Sequence, residues 1–322
     1  MLKNDEQLRV AAPGERGAFA ANGTARKRVS VGIGERRWLL PLPGFILLAL
    51  VTVPPFVVAL VLSVFNIDNQ ANVPTRFIGL QNYAMILTSA RGLHAFGETL
   101  LISLECTALS LLVALAIALL IKTYTRRISS WVLLLFLIPM TISPVVAALN
   151  TSLLLNTLYG PVDEVLYSIF HVTIAWTDTP ALATQTIVIV QIWQWSPLAI
   201  LLLYSGLRSL PDEPLEAARV DGANRLATFW HISLPLLRPV LIVSVIFEFI
   251  LASLQFTPTE LLTQGGPGSA TEAISLYVYH IGIAETGAVS QAAAAGVLML
   301  IVTTIIATIW VRATRWSEGS GV

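Results

Sequence analysis

The 322-residue chain is 55% hydrophobic and 12% charged, with 19 acidic against 19 basic residues and a formal net charge of zero. A water-soluble domain carries roughly 25% charged residues, so much of this surface faces lipid, and a neutral chain gives no support to a nucleic-acid partner. The single cysteine, Cys106, sits in an apolar run and is too few for an internal disulfide or a structural zinc site.

Residues 1–37 are polar and lack the apolar stretch of a signal peptide; they read as a largely disordered cytoplasmic tail. Six stretches then reach the roughly 20 apolar residues that a spanning helix needs. They run over 38–65, 98–121, 131–153, 183–207, 237–257 and 292–311. Lys and Arg set the orientation. The tail, the loops after the second and fourth spans and the C-terminus hold 17 of the 19 basic residues, which leaves Arg76 and Arg91 for the other side. Both termini are therefore expected in the cytoplasm. The outer loops, near 66–97, 154–182 and 258–291, carry acidic residues such as Asp68, Asp163, Glu260, Glu272 and Glu285. Neither an internal repeat nor a pair of inverted broken helices is visible.

The loop after the fourth span, 208–238, is rich in helix formers. Asp212 is a candidate N-cap, Pro214 suits a first turn, and Glu213 and Glu216 favour the positive end of a helix. A helix over 215–221, a turn at Gly222 and a second short helix over 223–232 are predicted, with Pro235 ending the unit before the fifth span. Such a hairpin presents Leu215, Ala217, Ala218, Val220, Phe229 and Trp230 outward. The residues alone leave open whether these rest on lipid or on a protein partner.

The spacing of Glu216-Ala217-Ala218, Gly222, Ile232 and Leu234-Pro235, with Asp221 before the glycine, resembles the EAA motif of binding-protein-dependent importer permeases. Residues 77–83 resemble the Gly-Leu-x-Asn-Tyr segment of sugar permeases. Residues 192–197 resemble the tryptophan–proline stretch of their fourth helix. Residues 261–267 with Ala270-Thr271-Glu272 resemble the Leu-Thr-x-Gly-Gly-Pro loop of the larger, maltose-type subunit. The resemblance covers roughly 38–311. It implies an all-α, six-span type I ABC importer permease in a bacterial inner membrane. The cytoplasmic tail at 1–37 is not part of the family pattern, and a second cytoplasmic tail is expected at 312–322. The resemblance further implies a second permease subunit, two ATPase subunits that hold ATP and Mg, an extracytoplasmic solute-binding protein and a sugar cargo. Glu216, Ala217, Ala218, Asp221, Gly222, Ile232, Leu234 and Pro235 would form the surface that docks on the ATPase.

No cofactor is expected on this chain. It has three lysines, Lys3, Lys27 and Lys122, and none follows the glycine-rich turn of a phosphate loop. It lacks a His-Glu-x-x-His sequence, and His94, His171, His231 and His280 are scattered. Polar residues inside spans tend to face a cavity. Gln191, Gln194, Trp195 and Leu198 share one helical stripe, and Glu248, Ala252 and Gln255 share another. Glu248 lies roughly 16 Å along its span, near mid-membrane. Amides, a carboxylate and an aromatic face are the set that a sugar ring needs. The resemblance places the first stripe at positions that line the maltose site and the fifth-span match in the vicinity of Ala252 and Gln255, although Met140 and Pro144 depart from the family's pocket residues. Helix–helix hydrogen bonding is the alternative role for these side chains. Within the importer reading, glycerol-3-phosphate, a glycerol phosphodiester or an acidic oligosaccharide is the alternative cargo. A proton-coupled secondary transporter with Glu105 and Glu248 as relay groups would leave the cytoplasmic hairpin without a purpose. An embedded enzyme would need a histidine well inside a span.

Overall fold

The computed structural model describes residues 41–67 and 74–319; the tail at 1–37 and Asp68 lie outside the described residues. Helix α1 (Leu42–Ser63) is followed by a two-residue antiparallel pairing of β1 (Phe65–Asn66) with β2 (Arg76–Phe77). Then come α2 (Gln81–Thr88), α3 (Ala90–Lys122), α4 (Arg126–Thr141), α5 (Pro144–Leu154), α6 (Pro161–Phe170), α7 (Pro180–Ser209), α8 (Asp212–Val220), α9 (Arg225–Thr228), α10 (Leu234–Ser253), α11 (Ile274–Tyr279) and α12 (Val289–Gly319). Among the described residues, five helical stretches are long and apolar enough to cross a membrane, and the bent pair α4–α5 makes a sixth if counted as one span. The protein is an all-α polytopic membrane protein, as its sequence leads one to expect. Among the described residues, those from Val53 onward form one compact unit, and residues 41–52, with the first half of α1, belong to another.

The third span is not one straight helix. Its halves meet at 89°. Pro144 disfavours a helical conformation at the residue before it, and Ser143 is accordingly extended (φ −57°, ψ 135°) with Pro144 opening α5. Ile142 is also non-helical, so α4 stops at Thr141. The second and fourth spans, α3 and α7, run longer than hydropathy alone suggests, because their starts are capped. Ser89 accepts the Gly92 N–H at 2.8 Å to start α3, and Thr179 with Pro180 starts α7. α12 continues through Gly319, so most of the expected tail at 312–322 is helical. For the same reason Arg91, Arg208, Arg225 and Arg238, expected outside the spans, lie in or near the end turns of helices.

Helices α3, α7 and α10 form the centre. The face of α3 turned to its neighbours carries Ser103, Thr107, Ser110, Ala114 and Ala118, all buried. Ser103 and Thr107 return their hydroxyls to carbonyls of their own helix, which lets α7 and α10 approach a smooth surface. Cys106 is buried in the same packing. Near the Arg208 end, a Cβ on Gly206 would lie 2.8 Å from a Leu237 methyl and 2.9 Å from a Val240 methyl, so α10 crosses α7 closely here and a larger residue would push those side chains aside. At the other end Asn82, from the Gly-Leu-x-Asn-Tyr segment, donates to the carbonyls of Ser63 and Phe65 at 2.9 and 2.8 Å. It satisfies backbone groups that the end of α1 leaves free.

Candidate functional site

The hairpin after α7 forms, with shifted boundaries. Pro211, not Asp212, is the residue before α8; Asp212 and Glu213 occupy its first turn and favour its positive end. The helix closes in a Schellman turn. The Ala223 N–H reaches the Ala218 carbonyl at 2.9 Å and the Gly222 N–H reaches the Arg219 carbonyl at 3.2 Å. This requires a left-handed residue, and Gly222 has φ +79°. Asn224 then caps α9 by accepting the Ala227 N–H at 2.7 Å.

Pro235 does not separate the hairpin from the fifth span. Residues Phe229–Ser233 form a wide helical turn whose bonds skip an extra residue, and the Leu234 N–H reaches the Phe229 carbonyl. That turn carries the helix past the missing N–H of Pro235. The result is a continuous helical stretch over Arg225–Ser253. Ile232 and Leu234 are half-buried within it. The presented surface is narrower than expected: Ala218 is buried and Leu215 and Phe229 are half-buried, whereas Glu216, Ala217 and Asp221 are exposed. Val220 is 88% exposed, Trp230 57% and Leu226 67%, a set of apolar side chains beside acidic ones.

The polar stripes of α7 and α10 are shut inside the chain. Gln191, Gln194, Glu248, Ala252 and Gln255 are all buried, while Trp195 and Leu198 are half-buried. Gln194 donates to the Ile142 carbonyl at 3.0 Å, so it caps the break in the third span. The Ser110 hydroxyl and the Ala199 backbone face the Glu248 carboxyl. Oε1 of Glu248 and both side-chain polar atoms of Gln255 have no hydrogen-bond partner among the described residues. Glu105 lies apart from them and accepts from Gln185 at 2.7 Å. Gln194→Leu is expected to lower stability by about 1–3 kcal/mol, because the Ile142 carbonyl loses its donor. A fall in the melting temperature of the solubilised protein measures this.

At the end of the bundle away from the hairpin, a charged network joins segments nearly 200 residues apart in sequence. Arg91 donates to both carboxylate oxygens of Glu272, at 2.7 and 2.6 Å, and also to Glu285. His280 lies 2.7 Å from Glu272 and 3.9 Å from Glu260. Thr271 bonds the Gly266 carbonyl at 2.9 Å and Thr263 at 2.7 Å, which folds the Gly-Gly-Pro loop onto itself. Sequence reasoning singled out neither Arg91 nor His280. The signals were present: Arg91 is one of two cations on its side, and Glu272 ends the Ala-Thr-Glu segment. No group of His, Cys, Asp and Glu fit to hold a metal occurs among the described residues.

Residues 107–315 match the family described as binding-protein-dependent transport system inner membrane component. The sulfoquinovosyl glycerol transport system permease protein SmoG of Agrobacterium fabrum is 30% identical over 287 residues, covering 87% of this chain and 90% of the relative. The trehalose/maltose transport system permease protein MalF of Thermococcus litoralis is 34% identical over 206 residues, 63% and 69% of the two chains. A bacterial alginate ABC transporter, solved in complex with an alginate pentasaccharide-bound periplasmic protein, superposes with a TM-score of 0.75 at 22% identity, covering 92% of this chain and all of its counterpart. At that identity the likeness is one of fold, the type I importer permease fold.

Proposed function

We propose, from the premise that this chain belongs to the binding-protein-dependent transport system inner membrane components, that it is one permease subunit of an ATP-driven carbohydrate importer. The chain itself is a transport component. ATP and Mg are held by two separate ATPase subunits, a second permease completes the pathway, and a solute-binding protein delivers cargo from outside. The membrane is a bacterial inner membrane and both termini face the cytoplasm.

The observation that carries this reading is the hairpin surface from Glu216 to Gly222 with Trp230, apolar and acidic side chains displayed on a rigid turn. It fits a groove on an ATPase better than lipid, because exposed Glu216 and Asp221 flank the apolar side chains. Since the helix runs on from Arg225 to Ser253, a displacement at Trp230 travels about 33 Å at 1.5 Å per residue to Ala252, just before Gln255. Closure of the ATPase subunits therefore moves α10 as a lever. The permease contributes differential affinity between two conformations and no covalent chemistry.

Gln191, Gln194, Trp195, Leu198, Glu248, Ala252 and Gln255 are the pathway residues, held closed in this conformation. The unpartnered Gln255 amide and Glu248 oxygen support this, because such groups are costly unless another state satisfies them. SmoG and MalF are both named for glycosides or sugars, and the sulfo group in the first favours an acidic glycoside as the second reading of the cargo. ATP hydrolysis by the reconstituted complex, with binding protein and a panel of neutral and acidic glycosides, separates the two. Stimulation by one class names it, and stimulation by glycerol-3-phosphate alone would remove carbohydrate as cargo.

A further inference from the structure

We propose that the elbow between the ends of α3 and α7 and the α8–α9 hairpin is a binding site for an anionic phosphate group. A cavity of about 200 Å³ lies there, lined by Lys122, Arg219 and Arg225, by Thr228 and the buried Ser233, and backed by Leu207. With water occupying about 30 Å³, there is room for a tetrahedral oxyanion and its nearest waters. None of the ion pairs among the described residues involves Lys122, Arg219 or Arg225. Arg208 is also within electrostatic range of Lys122, and its guanidinium is held by the Tyr124 carbonyl, the Ser129 hydroxyl and Tyr204. Asp212 is the acidic group in range of Lys122 and can offset one of these four cations.

Like charges gathered around a cavity with an apolar back repel one another and focus a positive potential into it. Two guanidinium forks match phosphate oxygens in pairs, and the ammonium adds a point charge. Ser233 supplies a hydroxyl along the same lining, while the Thr228 hydroxyl donates to the Asn224 carbonyl at 3.0 Å. Lys122 ends a spanning helix, so the cavity sits at the depth of lipid headgroups while remaining open to soluble ions. An anion here would pin the α8–α9 hairpin, which the proposed function assigns to ATPase docking, to the end of α3. The inference rests on that reading only for the complex in which it is tested.

The test uses the full complex in nanodiscs of phosphatidylcholine, and melting temperature as the readout. In one arm part of the lipid is replaced by phosphatidylglycerol; in the other, inorganic phosphate is added to phosphatidylcholine discs at constant ionic strength. The wild type is expected to melt a few degrees higher in at least one arm. The double variant Lys122→Gln, Arg225→Gln should lose most of that rise, while Arg238→Gln, a cation outside the cavity, should keep it. If the double variant does not assemble, Arg225→Gln alone, exposed on α9, gives the same reading. A rise confined to phosphatidylglycerol identifies a lipid headgroup, and a rise with phosphate identifies a soluble ion. No rise in either arm, or an equal rise in the cavity variants Lys122→Gln, Arg225→Gln or Arg225→Gln alone, overturns the proposal. Because melting is read without transport, this failure is distinct from failure of the importer reading.

Discussion

Gly222→Asp is expected to abolish the stimulation of ATP hydrolysis by loaded binding protein and to cut uptake at least about tenfold, a loss of about 1.4 kcal/mol in coupling. The complex should still assemble. Gly222 has φ +79°, and a Cβ built there meets nothing within 4 Å, so the substitution costs strain of roughly 1–2 kcal/mol, less for Asp or Asn, which tolerate this region. The larger damage is chemical. A third carboxylate appears beside exposed Glu216 and Asp221, on a surface that a partner has to desolvate, where an unpaired charge costs several kcal/mol. Gly222→Asn has the same shape without the charge and should retain most of the coupling. Equal damage from Asn would assign the effect to turn geometry. Normal coupling in Gly222→Asp would mean that this loop does not transmit the motion.

Arg91→Met is expected to destabilise the protein by about 3 kcal/mol, measured by chemical or thermal unfolding in detergent. It leaves Glu272, whose side chain is 3% exposed, without its bidentate partner. Breaking a buried pair costs about 3–5 kcal/mol, and the low end applies because Arg91 is 40% exposed. Glu272→Gln should cost less, since its amide still bonds and no charge is stranded. Acidification provides a second check. Burial alone would raise the Glu272 carboxyl, but the bonds from Arg91 and His280 outweigh it and hold the group below the usual carboxylate range. Glu285 is also held low, chiefly by its bond from Arg91. Groups with depressed values stabilise the fold above the ordinary Glu value of about 4.3 and lose that contribution as pH falls through the folded values. The stability gap between wild type and Arg91→Met should therefore hold above about pH 5 and shrink below it. A gap that does not change on acidification would show that the network contributes through packing alone.

Much of the fold could be read from the sequence because lipid imposes a simple pattern. Six apolar stretches and the distribution of Lys and Arg are linear signals, and so is Gly222 before Ala223, where a Schellman turn needs a left-handed residue. Three features were not linear. The bend at Ile142–Ser143 depends on Pro144 acting on the residue before it and on Gln194, 52 residues away, taking the freed carbonyl. The passage of helix through Pro235 depends on a wide turn at Phe229–Ser233 that no residue type announces. The network around Arg91 draws on α3 and on the segment beyond the Gly-Gly-Pro loop, and its parts look like ordinary loop charges until the chain is folded. The same limit applied to the polar stripes: helical spacing put Gln191 and Gln194 on one face, but only the fold shows that this face is turned inward.

The most direct test of the importer account is uptake of a labelled glycoside into proteoliposomes that contain the complete complex and its binding protein. ATP is supplied on the ATPase side, with and without a protonophore, and a parallel sample receives a pH gradient and no ATP. The account predicts accumulation that requires ATP and binding protein and is unaffected by the protonophore. Uptake that follows the pH gradient without ATP would contradict it, and would turn attention to Glu248 and Glu105.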